Sequence, residues 1–165
     1  MVINSSRVAV LLLTMIGCVG CDQVTKVTAR TYLSIGTTQS LFGDTLRLQR
    51  AENSGAFLSL GDQLAPRTRL VLFTFGGSLL VGAALLWAIR SRRATRVQTM
   101  AAALVCSGGL GNLIDRIGRH GYVTDFLNVG IGPVRTGIFN VADFALMIGV
   151  VLLFMFGSTS KRSAR

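Results

Sequence analysis

Three short spacings place polar residues inside otherwise apolar runs. Asp22 and Lys26 stand four apart, Asn112 and Asp115 three apart with Arg116 next, and Asn140 and Asp143 three apart again. On a helix each set shares one face, and Asp22 with Lys26 can form an i,i+4 ion pair. Asn53 and Asp125 lie in the segments between the apolar runs. A charge at the centre of a bilayer costs about 2.5–3.5 kcal/mol, so such residues belong inside a bundle, at an interface or at a site. Any one of them could be a helix-end polar group, and a helix N-terminus would favour the Asp143 carboxylate. It is the whole set that points to a site.

The inventory narrows the chemistry. There is one histidine, His120, and no H-E-x-x-H pattern, so a zinc peptidase of that kind is excluded. A serine–histidine site would need His120 to reach Ser78, which lies deep in an apolar run; Gly76-Gly77-Ser78 reads instead as close helix packing through small residues. Cys18, Cys21 and Cys106 all fall in apolar runs and read as small filler, with no metal site or disulfide framework. Carboxylates remain. Two held close together cannot both ionise easily; the ionised one can activate water while the protonated one polarises a carbonyl. Asp115, Asp125 and Asp143 are the candidates, and spacing does not say which two form the pair.

The elements that must position these groups follow from composition. Of 165 residues, 50% are hydrophobic and 15% charged, with a net charge of +10 and a mean hydropathy of +0.56. Soluble domains carry about 25% charged residues. Intrinsic disorder, collagen-like and solenoid architectures are excluded, and an apolar basic chain fits a membrane protein rather than a nucleic-acid binder. Four runs approach the roughly 20 residues that span a bilayer core: about 8–29, 70–89, 97–114 and 136–157. The expected fold is thus an all-α membrane protein of four transmembrane helices, one domain over residues 1–165. Arg7, the apolar stretch to Gly17 and Cys18 imitate a lipoprotein signal, but with three further spans the first run is expected to stay as a membrane helix.

Four spans put both termini on one side. That side holds Arg7, then Arg90, Arg92, Arg93 and Arg96, then Lys161, Arg162 and Arg165: eight basic residues and no acidic one. The other side also carries eight basic residues but spreads them over longer loops. Density near the membrane favours cytoplasmic termini. Asp22, Lys26, Asn112, Asp115, Asn140 and Asp143 then gather at the outer ends of their helices, with Asn53 and Asp125 in the outer loops. In the first outer loop, Leu46 and Leu48 alternate as in a half-buried strand, Asn53-Ser54-Gly55 is a turn, and Pro66 can open a short helix.

At these residues the chain resembles the lipoprotein signal peptidases, the type II signal peptidases of bacteria. Asp22-Gln23-Val24-Thr25-Lys26 resembles that family's D-Q-x-T-K block, and Asn53-Ser54-Gly55-Ala56-Phe57 its N-x-G-A block. Gly108 to Arg116 matches G-G-x-x-G-N-x-x-D-R, Val123 to Phe126 matches V-x-D-F, and Phe139 to Asp143 matches F-N-x-A-D. A serine often follows that last aspartate; here Phe144 does.

The resemblance implies a membrane aspartic endopeptidase that needs no cofactor or metal and cuts diacylglyceryl-modified prolipoproteins just before the lipid-bearing cysteine. It implies Asp125 and Asp143 as the catalytic dyad, and Asn53, Asn112, Arg116 and Asn140 as the substrate-site lining. Asp22, Lys26, Asp115, Gly108 and Gly111 become structural supports. A small β-cradle and a short helix are expected in the long outer loop. The implied setting is the bacterial inner membrane, with lipid-modified prolipoproteins and membrane lipids as partners, no nucleic acid, and a monomer. A carboxylate-lined ion path would spread polar residues through the whole membrane depth, whereas here the inner halves of the runs nearly lack them. A non-catalytic scaffold would have little use for so many converging acids and amides.

Overall fold

The computed structural model describes residues 5–55, 61, 63–91 and 94–157. Ala56 and Phe57 of the N-x-G-A block, Arg92, Arg93 and the basic tail from Lys161 to Arg165 lie outside the described residues.

Helix α1 spans Ser5–Tyr32. Pro66 occupies the first turn of α2, Pro66–Leu70, where its missing N–H costs nothing. α2 runs without a break through a π-helical turn, Val71–Gly76, into α3, Gly77–Arg90. The expected short outer helix is therefore the first turn of the second span. α4 covers Arg96–Gly118 and α5 Val141–Phe156. Ser5–Tyr32, Pro66–Arg90 and Arg96–Gly118 are long and apolar enough to cross a membrane; α5 has 16 residues, about 24 Å at 1.5 Å per residue.

α5 starts later than the run at 136–157 suggests, because residues 136–140 are committed elsewhere. The Thr136 amide donates to the Val129 carbonyl at 2.8 Å and the Phe139 amide to Leu127 at 2.8 Å. Asn140 then turns the chain into the helix with an extended backbone and a capping box: its side chain accepts from the Asp143 amide, and the Asp143 carboxylate accepts from its own.

α4 is the centre of the bundle, packed on α1, α3 and α5. Its buried face is made of small residues, among them Ala101, Ala102, Ala103, Cys106, Ser107, Gly108 and Gly111, which let backbones approach closely. A β-carbon on Gly108 would run into the Ala142 carbonyl and Leu146. Leu13, Ile16, Leu79, Leu80 and Phe154 point outward and exposed, as a lipid-solvated surface requires. Between the helices, strands β1 (Gln39–Leu41), β2 (Leu46–Asn53), β3 (Val123–Ile131) and β4 (Val134–Arg135) form one antiparallel sheet in that order. Leu46 and Leu48 lie in β2 as their alternation predicts, opposite Val129 and Leu127. Phe126 of β3 buries itself against Ala29 of α1 and Leu33 just beyond it, with Leu48, Leu127 and Val141 around it. The sheet is thereby seated across the C-terminal end of α1 and the start of α5.

Candidate active site

The polar residues of α1 and α4 meet first. Lys26 and Asp22 are fully buried, with Lys26 Nζ 2.9 Å from Asp22 Oδ2 and 3.5 Å from Asp115 Oδ2. Asp22 Oδ1 also accepts the Ala142 amide at 2.9 Å, closing the first turn of α5 onto α1. Asp115 accepts the Thr124 amide at 2.9 Å and lies 3.6 Å from Arg30 Nη1, which also donates to the Thr124 hydroxyl. So Asp22 and Asp115 bind α1, α4, β3 and α5 together through cations and backbone amides. Gly111 belongs to the same junction: a β-carbon there would stand 2.6 Å from Asp22 Oδ2 and 3.1 Å from the Ala142 methyl. A side chain at Gly111 would displace the Asp22 carboxylate.

Lys26 Nζ passes the network on by donating to Asn112 Oδ1 at 2.9 Å. Asn112 Nδ2 donates to Asp143 Oδ1 at 2.8 Å. Asn140 Nδ2 donates to Asn112 Oδ1 at 3.2 Å and to Asp125 Oδ1 at 2.6 Å. Asp143 Oδ2 accepts the Asn140 amide at 3.2 Å. A single asparagine, already required to cap α5, thus touches both carboxylates. Asp125 is delivered from the sheet. It pairs with Ala51, and Asn53 two residues further along β2 shares that face, so Asn53 Nδ2 reaches Asp125 Oδ2 at 2.9 Å. Asn53 Oδ1 in turn accepts the Gly55 amide at 2.8 Å, the turn that Asn-Ser-Gly predicts.

Among the described residues, buried Asp125 and Asp143 receive only neutral amide donors, whereas Asp22 and Asp115 sit against cations. Burial, and after it the negative charge of Asp143, push the Asp125 carboxyl up to about 7, against the pull of the bonds from Asn53 and Asn140. At neutral pH it is poised to hold or release a proton.

A mainly apolar cavity of about 470 Å3 opens beside Asp143, walled by Asn112, Arg116, Phe73, Gly76 and Gly77 among others. Asp125 and Asn53 are not part of its wall. Arg116 Nη2 donates to the Gly55 carbonyl at 2.6 Å, and its guanidinium lies 5.8 Å from the Phe73 ring centre. Its buried Nε has no hydrogen-bond partner among the described residues. Gly76 corrects the packing expectation: a methyl group there would meet nothing within 4 Å, and both glycines keep the cavity open. Ser78 donates to the Thr74 carbonyl at 2.7 Å and has no part in the cluster. His120 lies in a different, much smaller pocket with Ser54, Pro66 and Arg69.

All the sequence-expected site residues meet in this one network or its packing, Gly108 through the α4–α5 contact. Two members escaped the sequence reading. Arg30 completes the Asp115 pair, and its position four residues after Lys26 on the same helical face was the available signal. Gln23 joins Asp22 Oδ2 at 3.0 Å to the Gly111 carbonyl at 3.1 Å; it stands inside the D-Q-x-T-K block.

Comparison with known proteins assigns the chain to a family. Residues 14–158 match the family model for signal peptidase (SPase) II. The chain is 36% identical over 146 residues to the lipoprotein signal peptidase of Chlorobium phaeobacteroides, covering 84% of this chain and 83% of that protein. It is 37% identical over 154 residues to the one from Hydrogenovibrio crunogenus, covering 93% and 87%. A bacterial membrane enzyme solved by the in meso method at 2.3 Å superposes with a TM-score of 0.79 at 28% identity, over 94% of this chain and 93% of that one. With a family model spanning most of its length and relatives that agree over most of theirs, this chain belongs to the signal peptidase II family of membrane aspartic peptidases.

Proposed function

We propose that this peptidase removes the signal peptide from diacylglyceryl-modified prolipoproteins, cutting before the lipid-bearing cysteine, with Asp125 and Asp143 as its catalytic pair. The observation that carries the reading is Asn140, which joins two buried carboxylates that no cation among the described residues contacts directly. One of the pair is ionised and takes a proton from water as the water oxygen attacks the scissile carbonyl carbon. The other, protonated, donates to the carbonyl oxygen as it gains charge. Collapse of the tetrahedral species breaks the C–N bond, and the proton first taken from water passes to the leaving amine.

Asn112, Asn140 and Asn53 hold the two carboxylates in register, and Arg116 offers its unpartnered Nε to a substrate carbonyl. The apolar cavity beside Asp143 suits the small and aliphatic residues of a signal peptide. The acyl chains of the substrate stay in lipid, which holds the scissile bond at the outer helix ends where water is present. The chain acts as a monomer in the bacterial inner membrane, both termini cytoplasmic. Eight basic and no acidic residues on one side support this orientation.

The deciding experiment is cleavage of a purified diacylglyceryl prolipoprotein by wild type and Asp143→Asn, beside the same substrate without its lipid. Wild type should cut the modified form and the variant should not. Equal cleavage of both substrate forms would indicate a general peptidase. A reporter active only in the cytoplasm, fused after Arg165, should be active; activity only from an exported reporter would overturn the orientation.

A further inference from the structure

At the end of the bundle opposite the carboxylates, the N-terminal ends of α1 and α4 meet around a cavity of about 250 Å3, lined by Ser6, Arg7, Val10, Arg96 and Thr99. Nε and Nη2 of Arg7 are buried with no hydrogen-bond partner among the described residues. Charged donors left in that state bear their desolvation cost uncompensated. Arg96 adds a second positive charge to the same wall, and the positive ends of two helix dipoles add to both.

No aspartate or glutamate of the chain lies at this end to pair with them. Residues 1–21, 63–114 and 144–165 contain no aspartate or glutamate. All seven acidic residues lie between 22 and 62 or between 115 and 143, in the outer end of the bundle or the loops beyond it. Aspartate and glutamate side chains thus supply no countercharge here, which leaves room for an anionic ligand.

We propose that this cavity binds the phosphate of an anionic membrane phospholipid, held between Arg7 of α1 and Arg96 of α4. Basic pockets between transmembrane helices select such head groups, and helix N-termini add backbone N–H donors for phosphate oxygens. A lipid fits better than a free anion because the wall is continuous with lipid-facing surface. Val10 lines the cavity, and Leu12, Leu13 and Ile16 of α1 stand 53%, 73% and 70% exposed just beyond it, where acyl chains run. The bound head group ties α1 to α4 at the end where only Leu11, Ala88, Ala102 and Ala103 form a core. The site is independent of the carboxylate cluster; only its assignment to the inner leaflet rests on the orientation proposed above.

The test uses the full chain purified and delipidated in a neutral detergent. Phosphatidylglycerol, phosphatidylcholine and inorganic phosphate are titrated separately, with binding read by native mass spectrometry and by thermal unfolding. Phosphatidylglycerol should bind saturably at one per chain and raise Tm. Arg7→Gln/Arg96→Gln should weaken it on the order of tenfold or more. Arg90→Gln, which removes one exposed charge from the same end, should leave it unchanged. Peptidase turnover without added lipid should be equal in all three proteins, which reports on folding. Should the double variant not fold, Arg7→Lys keeps the charge, loses the paired N–H groups, and should still bind more weakly than wild type. Equal phosphatidylglycerol affinity in wild type and the folded variants would overturn the proposal, as would equal binding of phosphatidylcholine. A Tm rise with inorganic phosphate equal to that with lipid would make this a free-anion site instead.

Discussion

The polar cluster at the C-terminal ends of α1 and α4 and the start of α5 has two halves built from the same residue type. On the α1–α4 side, Asp22 and Asp115 are met by Lys26 and Arg30. On the β3–α5 side, Asp125 and Asp143 are met by Asn53, Asn112 and Asn140. Both halves are buried, and they join at Asn112, which accepts from Lys26 and donates to Asp143. A cation facing a buried carboxylate favours one charge state and so makes a strut. A neutral amide satisfies the same oxygens while leaving the charge free to change. The choice of donor, more than position or burial, separates the acids that build the site from those proposed to work in it.

The sharpest way to break this comparison is to neutralise each half in turn. Asp125→Asn and Asp143→Asn should lower turnover by roughly 10²–10⁴ for the lost acid–base step, with near-normal thermal unfolding in detergent. Asp22→Asn and Asp115→Asn should lower Tm or yield while the folded fraction still cuts substrate. A folded Asp115→Asn without activity, beside an active Asp125→Asn, would exchange the two roles.

The pH dependence should single out the same half. With the Asp125 carboxyl raised to about 7, the pair loses its shared proton as pH rises through that value. kcat/KM should then fall about tenfold per unit on the alkaline side. Stability follows the same sign. The folded chain binds this proton where the unfolded chain, with an ordinary value of 3.8, has released it. The contribution is full below about pH 4 and is lost as pH rises through about 7. In thermal unfolding between pH 4 and 8, the difference between Asp125→Asn and wild type should change across that window. A pH-independent difference would remove Asp125 from the titrating pair.

The cation-held half should respond in stability. Lys26→Met leaves Asp22 and Asp115 facing each other without their buried cation, and loss of one partner of a buried pair costs about 3–5 kcal/mol. Gly111→Ala forces a methyl against Asp22 and Ala142 and should cost about 1–3 kcal/mol, as overpacking does. At the small end stands Asp44 in the β1–β2 turn, half exposed, where two bonds from Arg47 hold its carboxyl well below the usual range. Asp44→Asn should leave turnover unchanged and move Tm least of the set, since exposed pairs contribute little.

Much of this was legible in the chain. Apolar runs show as runs, and i,i+3 and i,i+4 polar spacings show as faces, so the helices and the α1, α4 and α5 contributions could be read directly. Three things could not. The start of α5 depends on Phe139 pairing with Leu127, a bond across twelve residues that no local pattern encodes. The Asn53–Asp125 contact depends on a register shift between Leu48 and Ala51 of β2. The role of Gly76 depends on what faces it, which is empty space rather than a helix. Pairing, register and vacancy are tertiary properties, and residue types constrain them only weakly.

Asn140 serves two ends at once. It caps α5 and it bridges the two carboxylates, so the pair proposed as catalytic comes together only when the last helix has docked. Every other contributor is likewise split between distant stretches of chain: Asn53 before α2, Asn112 on α4, Asp125 on β3. A partly inserted copy carries all the acids and no assembled centre. On the proposed reading, completion of the fold is itself the safety catch of the nascent chain.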